Sequence, residues 1–288
     1  MAVIPLYRPI MQVLNATPYG YPVWPRFETE VFYPHRAYFE GLSATYGADF
    51  FGAGGLPAAV ERAAPALRES LRHAPQYGLE AGAQQWLERV DPLLPWSAPN
   101  FYLGTLFFTA PAATVGILGR PSITLGVERF HPSPPQTGAK YWYHPAEIAE
   151  MVPHEAAHVA RMQALGLPPT PRRLSLLDMV MLEGTALTFT DLLLGRQTLA
   201  TFLPADHLAW HRANDDAVRA AAAAEFDREG MEIFRKYFSA GAPVSGYYVG
   251  YSICCDWLRQ HGPGQMRNLV ALPSRTILQT LSPLRQAP

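Results

Sequence analysis

Two cysteines in 288 residues, adjacent at positions 254 and 255, exclude a disulfide framework, because the bond's geometry rarely joins sequence neighbours. Charge is also sparse. Charged residues make up 16% of the chain, against about a quarter in ordinary soluble proteins, and the formal net charge is −1. With no basic excess there is no electrostatic footprint for nucleic acid and no polybasic segment for an anionic membrane. Lysine occurs only at Lys140 and Lys236, so the cations are almost all arginine, a bias that says little about activity. No stretch approaches the roughly 18 consecutive apolar residues that a membrane span needs. The first twenty residues lack a charged segment followed by a long apolar run, and Pro5 and Pro9 interrupt them. These absences lead us to expect a cytoplasmic globular protein with neither nucleic acid nor membrane as partner.

What is present is an apolar fraction of 49%, enough for a large core in one or two packed domains. Residues 26–46 and 57–90 space their apolar side chains near the helical repeat and predict an N-terminal helical layer over residues 1–95. Between residues 101 and 130 the character changes. FYLGTLFF, ATVGIL and SITLGVERF are short, rich in β-branched and aromatic residues, and separated by Gly and Pro, which predicts a small sheet. The loop HPSPPQTG that follows ends regular structure, and a helix is expected from near Pro145. Pro153 should either kink that helix or force a new one to begin at His154. Further helices are expected at about 174–194, 205–229 and 245–260. The fold class is thus α+β and mainly helical, with residues 96–288 forming the second region of one compact unit.

The most specific chemistry lies at His154-Glu155-Ala156-Ala157-His158. Positions i and i+4 share one helix face, so the imidazoles of His154 and His158 can converge on one ion. Glu155 sits about 100° around the helix, where its carboxylate can reach a water beside the ion without being a ligand. That is the general-base position of H-E-x-x-H sites. A catalytic zinc usually takes three protein ligands and an open position. The chain continues VARMQALGLPP and offers no third histidine, which excludes the metzincin form.

A carboxylate from a following helix is the remaining common solution. Glu183 is the best-placed candidate, standing in the otherwise apolar segment LSLLDMVMLEGTALTFTDLLLG, where an ionised carboxylate is costly unless paired or metal-bound. Gly184 beside it permits close helix approach. Asp178 and Asp191 remain alternatives as ligands, and with Thr190 they are candidates to orient the histidines. Tyr247 and Tyr251 share one helix face and are candidates to donate to a developing oxyanion. His144, His207 and His211 are more simply read as helix-end or surface residues. Cys254 and Cys255 could in principle close a structural four-ligand site, but their apolar surroundings favour packing as small hydrophobes.

HEAAH at 154–158, EG at 183–184 and GYYVGY at 246–251 resemble the gluzincins. The likeness is closer still to an uncharacterised family of predicted zinc-dependent proteases that pairs H-E-x-x-H with a downstream E-G and a G-Y-x-x-G-Y segment. The resemblance spans roughly the C-terminal two thirds. It implies one Zn2+ per chain held by His154, His158 and Glu183, with Glu155 as general base in hydrolysis of a peptide or protein substrate. It also implies a zincin-like region, with a small sheet whose edge strand packs on the H-E-x-x-H helix. SITLGVERF is the strand expected at that edge, pairing with an extended peptide. A different class of function would be a zinc-stabilised binding or sensor domain without catalysis. Glu155 argues against it, since a structural site has no use for a carboxylate there.

Overall fold

The computed structural model describes residues 3–97, 99–110, 112–133, 142–239 and 242–281. Its backbone contacts divide it into two compact units. One comprises Met1–Arg89 with Ala98–Glu155, the other Val90–Ser97 with Ala156–Pro288. Among the described residues, no helix is long and apolar enough to cross a membrane.

The first unit holds a four-stranded mixed sheet of β1 (Val3–Ile4), β2 (Phe101–Gly104), β3 (Ala112–Ile117) and β4 (Arg120–Gly126), in the order β1-β2-β4-β3. β2 runs parallel to both β1 and β4, and β3 runs antiparallel to β4. The helices of this unit are α1 (Tyr7–Ala16), α2 (Trp24–Phe27), α3 (Arg36–Tyr46), α4 (Gly55–Leu71) and α5 (Leu79–Val90). Helix α1 forms despite Pro9, because Pro9 lies in the first turn, where backbone N–H groups have no intrahelical partner to lose.

One expectation is corrected here. SITLGVERF does not supply the edge strand, for β4 is paired on both sides, with β2 and with β3. Its residues Ser122–Gly126 are all buried, the pattern of a strand covered on both faces. The edge on that side of the sheet belongs to β3, and β1 forms the other. Leu118 and Gly119, both at positive φ, close a tight hairpin that folds β3 back along the outside of β4. β3 alternates half-buried and buried residues, so Ala112, Thr114 and Gly116 share one face.

The chain between β2 and β3 turns sharply through Phe107 and Phe108, at φ 51° and 61°. Glu128, completely buried, holds this turn. Its Oε1 accepts the Leu106 N–H at 2.8 Å and the Phe108 N–H at 3.1 Å. Burial pushes the Glu128 carboxyl pKa up, against the opposing pull of those N–H donors. Glu128→Ala should therefore lower unfolding stability by about 2–4 kcal/mol in chemical denaturation, since two buried donors lose their acceptor. Glu128→Gln keeps an acceptor oxygen without the charge and should stay near wild type. Equal loss in both variants would refute this account of the turn.

Helix α6 (Ile148–Leu165) runs unbroken across the division between the units. The second unit continues with α7 (Leu176–Leu194), α8 (Ala205–Ala213), α9 (Asp215–Ala223), α10 (Met231–Phe238), α11 (Gly246–His261), α12 (Met266–Ala271) and α13 (Ser274–Thr280). The helix expected over 205–229 is instead broken at Asn214 and ends at Ala223. Asn214 leaves helical geometry, at φ −122° and ψ 27°, and its side chain donates to the Trp210 carbonyl at 2.8 Å. This is the local competition with the helix that makes asparagine a breaker.

Candidate metal centre

The start of α6 is fixed by a reciprocal cap. His144 Nδ1 accepts the Ala146 N–H at 3.1 Å, and Glu147 Oε2 accepts the His144 N–H at 2.7 Å, around a 3₁₀ turn at Pro145–Glu147. Only residues 134–141 of the preceding loop lie outside the described chain. α6 continues through Pro153, so no second helix begins at His154. One backbone bond is lost there, because Pro153 has no N–H to donate.

α7 starts at Ser175, whose Oγ accepts the Asp178 N–H at 3.1 Å, and ends at Gly195 in left-handed geometry. It is apolar on nearly every side, and its acidic residues Asp178, Glu183 and Asp191 are half-buried. α7 meets α11 at Gly184 and Gly250. A Cβ on Gly250 would fall on the Val180 carbonyl, and one on Gly184 would fall on Gly250 backbone. Only glycine at both positions allows so close a crossing, and the residue preceding Gly184 is Glu183.

His154, His158 and Glu183 each present a ligand atom within 4.8 Å of the others. His158 Nε2 lies 3.6 Å from Glu183 Oε2. The two histidines and Glu155 are only 6–7% exposed. Two imidazoles and one carboxylate, sheltered and converging, form a donor set suited to a catalytic zinc. The three residues fit such an ion. Glu155, also on α6, accepts a hydrogen bond at Oε2 from Thr114 Oγ1 on β3, 3.0 Å away. Sequence alone did not single out Thr114. Its strand face was legible, but not what that face would meet.

The other candidates are occupied elsewhere. Asp178 accepts the Ser175 hydroxyl at 2.8 Å and the Ser274 hydroxyl at 2.6 Å. Thr190 donates to the Ala186 carbonyl within its own helix. Asp191 accepts from the Thr198 N–H and hydroxyl at 2.6 and 2.7 Å, and from the Tyr251 hydroxyl at 2.8 Å. Burial, and then the nearby Cys255 and Asp191, push the Tyr251 phenol pKa up, so Tyr251 stays a donor to Asp191. Tyr251 and Asp191 line a cavity of about 430 Å3 with Thr188, Arg196, Gln197 and Cys255, a wall that includes none of the three clustered residues. The Tyr247 ring packs on Phe202 and Phe238, with centroids 5.2 and 5.3 Å away. His211 Nε2 accepts the Ser245 N–H at 2.9 Å, and its Nδ1 meets the His207 carbonyl at 2.7 Å, so it ties α8 to the start of α11. Both cysteines are unbridged, Cys254 being buried.

Arg161 also escaped the sequence reading. It follows His158 by three residues and is fully buried. Nη1 donates to the Leu269 and Val270 carbonyls at 3.1 and 3.2 Å, and Nη2 to Ser274 Oγ at 2.9 Å. An arginine inside an apolar helix was the available signal, since such a charge survives burial only with acceptors around it.

A family model described as predicted Zn-dependent protease (DUF2268) matches residues 138–279, about half the chain. This is the family that HEAAH, EG and GYYVGY resemble. The matched segment is shorter than the C-terminal two thirds and leaves all four strands outside it. Neither curated proteins nor solved structures yield a match.

Proposed function

We propose that the chain is a gluzincin-type zinc peptidase in which His154, His158 and Glu183 hold one ion and Glu155 acts as the general base. The observation that carries this reading is the convergence of the three ligand atoms within 4.8 Å beside Glu155. The family match, to a predicted Zn-dependent protease, is in keeping with this reading. A bound zinc would polarise the scissile carbonyl and bring the pKa of a water down to roughly 7.

The protein's own groups then divide the work. Glu155 takes the proton of the attacking water and delivers it to the leaving amine, so hydrolysis proceeds without a covalent intermediate. Thr114 holds Oε2 of that carboxylate, which limits its rotation and leaves Oε1 for the water. The developing oxyanion calls for a donor from the facing wall. Tyr247 and Tyr251 on α11 are the phenols we assign to that task, and Tyr251 would have to release Asp191 to serve. The edge of β3, joined to Glu155 through Thr114, would receive an extended peptide by strand addition.

The non-catalytic alternative is less well supported. The cluster among the described residues has three members and no cysteine, whereas structural zinc sites are closed by four ligands. Zinc analysis of wild type and Glu183→Ala, beside cleavage of a mixed peptide library, tests the reading. Wild type should carry about one zinc per chain and cleave. Losing an orienting residue around a zinc site typically costs about 10–100-fold in affinity, and losing Glu183, a direct ligand, should cost at least as much. Full zinc occupancy of Glu183→Ala under the same conditions would remove Glu183 from the site.

A further inference from the structure

β3 is an outer strand, yet its outer edge is open over only part of its length. The pairing with β4 sets Ala112 opposite Leu125, Thr114 opposite Ile123 and Gly116 opposite Pro121. Pro121 has no N–H, and the Gly116 N–H turns the other way, to Thr45 Oγ1 on α3 at 3.0 Å. Residue pairs in an antiparallel ladder alternate between facing and avoiding the partner strand. Gly116, Thr114 and Ala112 therefore all direct their backbone N–H and C=O away from β4. Ile123 confirms the phase, for its N–H donates to the Asn100 carbonyl at 3.0 Å, on the opposite side from β3.

Helix α3 closes the Gly116 end of this edge. Thr45 occupies the outward N–H, and a Cβ added to Gly41 would stand 2.6 Å from the outward Gly116 oxygen. No hydrogen bond among the described residues meets the outward N–H of Ala112 or Thr114. Three outward-facing residues are thus reduced to two.

We infer that α3 terminates the peptide-docking edge, so that a substrate strand pairs with Ala112 and Thr114 and no farther. The inference rests on the hydrolytic reading above and adds a limit on substrate length. Thr114 fixes the short ladder beside the chemistry, because its side chain donates to Glu155 while its backbone faces the peptide. Chain extended toward Gly116 meets α3 and gains no backbone bonds. Antiparallel pairing, the stronger ladder, puts that blocked direction toward the substrate's N-terminus. The favoured substrates are peptides with a short N-terminal segment before the cleaved bond, not the interior of long chains.

Backbone N-methylation reads this directly. A fluorescein-labelled decapeptide from the library is N-methylated at one position at a time, and binding to Glu155→Gln is followed by anisotropy beside cleavage by wild type. Two sensitive positions, two residues apart, are expected, each weakening binding about five-fold, the equivalent of one hydrogen bond of about 1 kcal/mol. In wild type, kcat/KM should stop rising once the N-terminal side of the substrate reaches the position opposite Thr114, where α3 ends the ladder. Sensitivity at a third alternating position, at none, or a continued rise with N-terminal length would overturn the inference. Its failure separates from that of the hydrolytic reading. Cleavage that needs Glu155 but lacks the pattern removes the inference alone. The binding pattern without any cleavage by wild type removes the hydrolysis and keeps the docking edge, and absence of both removes both.

Discussion

Glu155→Gln is expected to abolish most peptide turnover, by about 10²–10⁴-fold, the usual contribution of a general base, while zinc content stays at the wild-type level. The substitution is nearly isosteric and keeps an oxygen that can accept from Thr114, so the local packing at 7% exposure has no reason to change. What it removes is the capacity to take a proton. The comparison with Glu183→Ala is informative because the two losses have different origins, one in proton transfer and the other in metal affinity. Measuring zinc by mass spectrometry and turnover on the same preparations separates them. Equal turnover by wild type and Glu155→Gln would eliminate the proposed mechanism, whatever the metal content.

The largest expected effect on the fold comes from Gly250→Ala. A single methyl group there must occupy the position of the Val180 carbonyl, and the obstacle is helix backbone that cannot rotate away. α7 and α11 would have to separate. Overpacking typically costs about 1–3 kcal/mol, and collision with backbone falls at the upper end or beyond. A loss of about 3 kcal/mol or more in chemical denaturation is expected on that basis. Because Glu183 adjoins the crossing, zinc affinity should weaken as well. Gly264→Ala is the control, since an added Cβ there meets nothing within 4 Å. If Gly250→Ala unfolds with the same midpoint as Gly264→Ala, the crossing is not as close as described.

The parts of the candidate site that depend on spacing within one helix were legible in the chain. That His154 and His158 share a face required only the helical repeat, whereas Glu183 shared its apolar segment with Asp178 and Asp191, and only the folded chain brings it within 4.8 Å of both histidines. The mainly helical α+β class followed from the same periodicity. What depends on pairing between distant segments was not legible. Which of two successive strands lies at the edge is decided by their hairpin and by β2, not by their composition, and so the edge was placed on β4 when it belongs to β3. A two-residue strand such as β1 carries no periodic signal at all. Tyr251 was readable as a phenol on a given helix face, but its partner Asp191 lies 60 residues away and could not be inferred from spacing.

The buried guanidinium of Arg161 has a consequence for biosynthesis. It lies one turn beyond His158, yet its carbonyl acceptors on Leu269 and Val270 follow by 108 and 109 residues. A nascent chain that has already emerged past Glu183 contains every proposed ligand, but the charge next to them still has no low-cost place to go. Burying it without acceptors would cost several kcal/mol, so that turn of α6 cannot settle into its final environment until α12 is out of the ribosome. The order of synthesis thus keeps this turn of α6, next to the candidate metal ligands, unfinished until the rest of its unit has been made.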